Sequence, residues 1–239
     1  MIPKLIIAVK SHFGAIESGA HDAIRSTWGQ ALRGRAEVKF FLGRPSYDIG
    51  GMSRSLHPTA QNSYIPKSDE VILECPDDYH SLPLKTRAIC KWATDKHVDH
   101  IFLCDNDTYV NPKKILTCGY QMYDYAGKIS RPISETFPYD AVDRDGVMTH
   151  IENCYPWASG GFGYFLSKLA IQKVADKYPK TWAEDLWVGQ VLGVEIIQGN
   201  LLALDLPAGT YSQHFPSAKY GRGYDPSLNW MQSMHAENQ

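Results

Sequence analysis

The chain has 239 residues, 44% hydrophobic and 21% charged, so it is long enough to bury a core without staples and is ordinary for a globular protein. Its formal net charge is −2, with charges of both signs interspersed, and no basic stretch is long enough to read as a nucleic-acid arm. Length alone favours one domain over residues 1–239. Aromatic residues reach 12%, which suits a site that stacks bases or sugars.

The opening run, Leu5-Ile6-Ile7-Ala8-Val9, is too short for a membrane span and reads as a buried strand over 4–9. Residues 18–32 carry helical spacing through Ile24, Trp28 and Leu32. Val38 to Gly43 forms a second strand, and 44–67, rich in Pro, Gly, Ser and Asn, reads as a mobile loop. Glu70 to Leu73 is a third strand, 82–97 a helix, and His100 to Cys104 a fourth strand, apolar enough to lie mid-sheet. Residues 127–153 read as polar and irregular. A helix follows over about 167–177, another begins at Glu184-Asp185, and the end is loop-rich. This alternation predicts an α/β protein with a mainly parallel central sheet flanked by helices. The five cysteines are scattered with no CxxC pair, as expected of reduced thiols in a cytoplasmic protein.

Asp105-Asn106-Asp107 ends the fourth strand, at the edge where such sheets bind ligands. Two carboxylates one residue apart suit a hard divalent cation, Mg²⁺ or Mn²⁺, which would neutralise a diphosphate leaving group. The same residues also read as a turn or a cap. Glu184-Asp185 reads either as helix-terminal acids favoured by the dipole or as a general base. His214 is either a third metal ligand or an ordinary loop histidine. Gly160-Gly161 is either a close approach to substrate or a plain turn. Arg25 and Lys85 are candidate phosphate or base contacts, or solvated helix charges.

Taken in order, several segments resemble the β-1,3-glycosyltransferase family, which includes β-1,3-galactosyltransferases and Fringe. Ala23-Ile24-Arg25-Ser26-Thr27-Trp28-Gly29 is similar to its IRxTWG, and Asp78-Tyr79-His80-Ser81-Leu82-Pro83-Leu84-Lys85-Thr86 to the segment ending in NLTLKT. Phe102 to Asn111 resembles the strand end carrying DDD, Tyr155 to Tyr164 resembles YPxYxSGxGY, and Glu184 to Gly189 resembles EDVxxG. The resemblance spans residues 21 to about 193.

It implies a GT-A type fold, with a nucleotide-sugar-binding half over about 1–110 and an acceptor-binding half over about 111–239. It also implies an inverting transfer from a UDP-sugar, usually with Mn²⁺. Carried over by position, Asp107 is the direct metal ligand, Asp105 assists through nucleotide or water, Asp185 is the base and His214 is a metal ligand. Arg25, Lys85, Asp105, Asn106, Gly160 and Gly161 fall on the nucleotide side.

The chain departs from the pattern at Asn106, where the middle acid is absent, and at His21, where the first basic residue is expected. The family's membrane anchor and disulfide pattern are not evident, so the expectation is a soluble, cytoplasmic relative. A carbohydrate acceptor is expected, with a hydroxymethylated DNA base as the alternative. A sugar-nucleotide-binding module without turnover is a rival of another class. A haloacid-dehalogenase-type phosphatase fits poorly, because Tyr109 stands where its DxDxT motif needs Thr. Donor sugar and oligomeric state are not legible.

Overall fold

The computed structural model describes residues 5–44, 64–130, 136–142, 146–214 and 229–238. The apolar run at the start forms β1 (Leu5–Lys10), buried along its whole length. A strand buried on both faces belongs in the middle of a sheet. β1 accordingly pairs in parallel with β2 (Glu37–Arg44) on one side and β4 (His100–Asp105) on the other. β3 (Glu70–Pro76) extends the parallel set beyond β2. The loop expected over 44–67 lies outside the described residues from 45 to 63.

Beyond β4 the direction changes. β9 (Tyr164–Ser167) runs antiparallel to β4 and to β6 (Tyr125–Gly127), and β10 (Ala203–Asp205) closes the edge beside β6. The sheet order is β10-β6-β9-β4-β1-β2-β3, mainly parallel as expected, with β9 the reversed strand. β5 (Thr108–Val110) leaves the sheet and pairs antiparallel with β11 (Ser212–His214).

Alternate side chains of the central strands feed two cores. Ile6, Ala8, Ile101 and Leu103 face α4 (Leu82–Asp95), α6 (Lys168–Asp176) and α7 (Glu184–Ile197). Leu5, Ile7, Val9, Phe102 and Cys104 face the opposite layer. That layer contains α1 (Phe13–Glu17), α2 (Ala20–Ser26), α3 (Trp28–Ala31), α5 (Pro112–Ile115) and α8 (Asn229–Glu237). Trp28 and Phe102 are fully buried there, each worth about 1.5–3 kcal/mol of transfer free energy or somewhat more.

Three expectations are corrected. The helix expected over 18–32 is broken at Thr27, whose φ −115° and ψ −113° leave the helical region while its hydroxyl donates to the Ala23 carbonyl. The stretch 127–153 contains a hairpin, β7 (Phe137–Val142) with β8 (Met148–Cys154). Only part of that hairpin is buried, Ala141 and Cys154 packing with Leu186, so its polar residues hid its period-two pattern. The loop-rich end contains α8, anchored by the buried Met231.

Candidate active site

The carboxyl ends of β1, β3 and β4 open into a cavity of about 800 Å³, closed from the far side by the start of α7, the Gly160-Gly161 turn and the β7–β8 hairpin. Asp105 ends β4, and Asn106-Asp107 turn the chain into β5; all three line the cavity. Asp185 lines it from the first turn of α7. The structure thus brings together carboxylates eighty residues apart in sequence.

Asp185 is held by two backbone donors. The Gly160 amide donates to Oδ2 at 3.0 Å, and the Leu186 amide to Oδ1 at 2.8 Å. Burial pushes its carboxyl above the ordinary aspartate value and the neighbouring Glu184 charge adds to this, while the Gly160 amide and Lys10 pull it back. Such a carboxylate is a better proton acceptor than an exposed aspartate.

Glu184, read from sequence together with Asp185 as a helix-terminal acid or a general base, is engaged by side chains from other elements. It is 6% exposed, and its Oε2 lies 2.9 Å from Lys10 Nζ. Its Oε1 accepts from Thr86 Oγ1 at 2.6 Å and from the Tyr164 hydroxyl. Lys10 Nζ also lies 3.2 Å from Asp105 Oδ1. Burial would depress the Lys10 ammonium, but Asp105, Glu184 and Asp185 together hold it above its ordinary value. Sequence reasoning missed Lys10. Its signal was a lysine closing an otherwise apolar strand that ends at the ligand edge.

Lys85 lines the cavity, yet its ammonium is engaged by the Ser11 carbonyl and Asp77 Oδ1. Asp77 also accepts from the Phe13 and Gly43 amides, so the pair braces the ends of β1, β2 and α4. Arg25 is not in the cavity. It forms a two-toothed pair with Asp69 at 2.8 Å and reaches Glu70 at 2.7 Å. It borders a separate cavity of about 960 Å³ at the amino ends of β1 and β2, which removes it from contact with a ligand at Asp105. His21 is buried between Ser11 Oγ at 2.7 Å and Glu70 Oε1 at 3.1 Å, and stacks on Phe40.

Gly160 lines the cavity and spends its amide on Asp185; Gly161 accepts from Thr108 Oγ1. Gly163 ends the same turn at φ +73°, where a Cβ would lie 2.4 Å from the Phe102 ring, so only glycine fits. The backbone of His214 pairs with Thr108, directly after Asp107; its side chain lies outside the described residues. Among the described residues no cluster of three His, Cys, Asp or Glu side chains is placed to hold a metal. Asp105 and Asp107 nevertheless fit Mg²⁺ or Mn²⁺, because such ions are commonly held by one or two carboxylates, with waters and substrate phosphates filling the other positions.

Four aromatic residues line this opening. Tyr139 and Trp157 meet edge to face at 4.8 Å on one wall, and Tyr79 and Trp182 lie 6.2 Å apart on another.

The cavity at the carboxyl edge of this mainly parallel α/β sheet lies where such sheets bind ligands. The chain belongs to the galactosyltransferase family, whose model, described as Galactosyltransferase, matches residues 20–198, and it is a glycosyltransferase. The mixed sheet accords with the GT-A type fold expected of that family. No curated protein matches the sequence. Among solved structures it is similar to a glycosyltransferase involved in the glycosylation of the major capsid of PBCV-1, at 14% identity, TM-score 0.46, over 97% of this chain and 100% of that one. It is also similar to 4-diphosphocytidyl-2C-methyl-D-erythritol synthase from Anaerococcus prevotii, at 8% identity, TM-score 0.43, over 97% and 96%. A third is the inositol-1-phosphate CTP transferase from T. maritima, at 11% identity, TM-score 0.44, over 97% and 95%. Among the described residues no helix is long and apolar enough to cross a membrane.

Proposed function

We propose that this glycosyltransferase moves a sugar from a UDP-sugar to an acceptor hydroxyl with inversion at the anomeric carbon, Asp185 serving as base. The carrying observation is that Asp185, fixed by two amides, shares one cavity with Asp105 and Asp107. Asp105 and Asp107 would hold Mn²⁺ or Mg²⁺, which when bound neutralises charge on the donor diphosphate. Asp185 takes the proton of the acceptor hydroxyl as its oxygen bonds to the anomeric carbon. The bond from that carbon to the phosphate oxygen breaks, and UDP leaves with the electron pair. One displacement inverts the centre and needs no carboxylate nucleophile.

The reading divides the chain near residue 110 into a donor half and an acceptor half. The aromatic walls favour a carbohydrate acceptor, since flat rings present apolar faces with polar handles nearby. Asn106 lines the cavity beside the two carboxylates and lowers its negative charge by one relative to the acidic triplet.

A thermal-shift screen of nucleotide sugars with and without Mn²⁺ tests the donor side. UDP-sugars should stabilise the protein in a metal-dependent way, and Asp107→Ala should abolish that dependence. Undiminished metal-dependent stabilisation of the variant would remove Asp107 from the site. Asp185→Asn should keep donor binding and lose transfer by about a hundredfold or more; normal transfer would remove Asp185 as base.

A further inference from the structure

We propose that Lys10 is a positioning residue for sugar transfer, its buried ammonium locking the donor-side carboxylate Asp105 to the base-bearing first turn of α7 through Glu184. The inference rests on the reading of Asp185 as base.

Lys10 is 4% exposed and ends β1, where it sits in register with Asp105 on β4. The strands are hydrogen-bonded to each other, so the sheet fixes both residues. From there Nζ reaches Asp105 Oδ1 at 3.2 Å and Glu184 Oε2 at 2.9 Å. Glu184 lies 174 residues away in sequence and immediately precedes Asp185. One ammonium therefore spans the two sides of the cavity.

The first turn of α7 needs such a tether. Its N-cap position, Ala183, supplies no side-chain hydrogen bond. The turn is held instead by side chains that reach out of it, Glu184 to Lys10, Thr86 and Tyr164, and Asp185 to the Gly160 amide. Thr86 and Tyr164 engage Oε1, and Lys10 engages Oε2, so removing Lys10 frees one oxygen of the carboxylate and removes its counter-charge. A buried carboxylate left without its cation either protonates or moves toward water. Either response changes the field at Asp185 or the setting of the turn, and transfer geometry tolerates little displacement.

A side chain that merely filled space would act otherwise, because its loss would reduce the amount of folded enzyme alike at every pH. Three elements supply the groups that bear on Asp185: Glu184 and the Leu186 amide from its own helix, Lys10 from β1, and the Gly160 amide from the 160–162 turn. Lys10 favours the ionised form of Asp185 and the Glu184 charge opposes it, so removing Lys10 displaces the ascending limb of the pH–rate profile, to higher pH where Glu184 stays ionised and to lower pH where Glu184 takes up a proton.

The experiment compares the parent with Lys10→Met, Lys10→Arg, the double variant Lys10→Met/Glu184→Gln, and Asp185→Asn. It reads Tm, kcat, donor and acceptor KM, and the pH profile, all with Mn²⁺ and a UDP-sugar donor. Folded Lys10→Met should lose about tenfold or more in kcat with donor KM changed less than about threefold, and Lys10→Arg should recover a substantial part of the loss. A folded Lys10→Met with parental kcat, or one whose loss is uniform with pH and not recovered by Lys10→Arg, overturns the proposal. If Lys10→Met does not fold, the double variant removes both charges of the pair. A kcat still about tenfold down then supports the proposal, because Asp105 has lost its tether, and a parental kcat overturns it. Asp185→Asn separates the two readings. Normal transfer by that variant sinks the assignment of the base, whereas an inactive Asp185→Asn beside a fully active Lys10→Met sinks only the role of Lys10.

Discussion

Asp185 is surrounded by groups that pull in opposite directions. Burial and the Glu184 charge raise its carboxyl, and the Gly160 amide and Lys10 lower it. With Asp185 as base, the kcat/KM profile should rise with pH through a midpoint above the ordinary aspartate range. Glu184→Gln removes a negative neighbour and should move that midpoint to lower pH; an unmoved midpoint would assign the limb to another group. Glu70 is a second residue with a readable pH signature, away from the cavity. Burial acts to raise it, but the Tyr64 hydroxyl, the Lys67 amide, Arg25 and His21 outweigh burial and hold it at about 2, below its usual 4.5. A depressed carboxylate contributes stability above its unfolded value, and that contribution is lost as pH falls toward the folded one. Glu70→Gln should therefore lower Tm at pH 7 by roughly 5–10 °C, with the gap from the parent closing as the buffer is taken from pH 5 toward pH 2. A constant gap across that range would show that the ion pairs are not its source.

At the scale of elements, α7 meets the 155–157 segment without room for a methyl group. A Cβ at Gly189 would lie 2.5 Å from the Trp157 Cβ, and one at Gly193 2.3 Å from the Tyr155 Cβ. Alanine ordinarily stabilises a helix interior over glycine, so the sign of the change is diagnostic. Gly189→Ala should destabilise by about 1–3 kcal/mol in urea unfolding and reduce transfer, since α7 carries Asp185. Stabilisation instead would mean that the helix is free to move outward. The central strands were legible because β1 and β4 are short, uniformly apolar and buried on both faces. The β7–β8 hairpin was not, because β8 is mostly solvent-facing and its sequence carries little apolar alternation. α8 was missed for a similar reason: its buried anchor is Met231, flanked by the half-buried Trp230, within a mostly polar segment.

For the whole molecule, two faces of one sheet supply the stability, and no disulfide reinforces them: all five cysteines are free, four of them buried. Reducing agent should leave Tm unchanged in a thermal melt, whereas a cross-linked fold would lose several kilocalories per mole. The α/β class and the acidic strand end could be read from local pattern, since both depend on residues adjacent in sequence. The electrostatic connection could not. Lys10, Thr86, Tyr164 and Glu184 come from four elements, and nothing in their spacing shows that they meet. The surroundings of Arg25 were illegible for the converse reason, because its motif is clear while its partners Asp69 and Glu70 lie more than forty residues on.

The reversal of β9 has a consequence for how such a protein can diversify. An antiparallel strand starts where its parallel neighbour stops, so the chain enters β9 from the cavity side, directly after the Gly160-Gly161 turn. Everything from the end of β6 to the start of β9, hairpin included, is thereby an excursion that departs from and returns to the same rim of the sheet. The mostly exposed β7–β8 hairpin within it can vary while the registers of β4, β6 and β9 stay as they are, whereas the 155–160 segment is fixed by its contacts with α7 and Asp185. Exchanging the hairpin between relatives would change the wall opposite Asp105 and leave the registers of the sheet as they are.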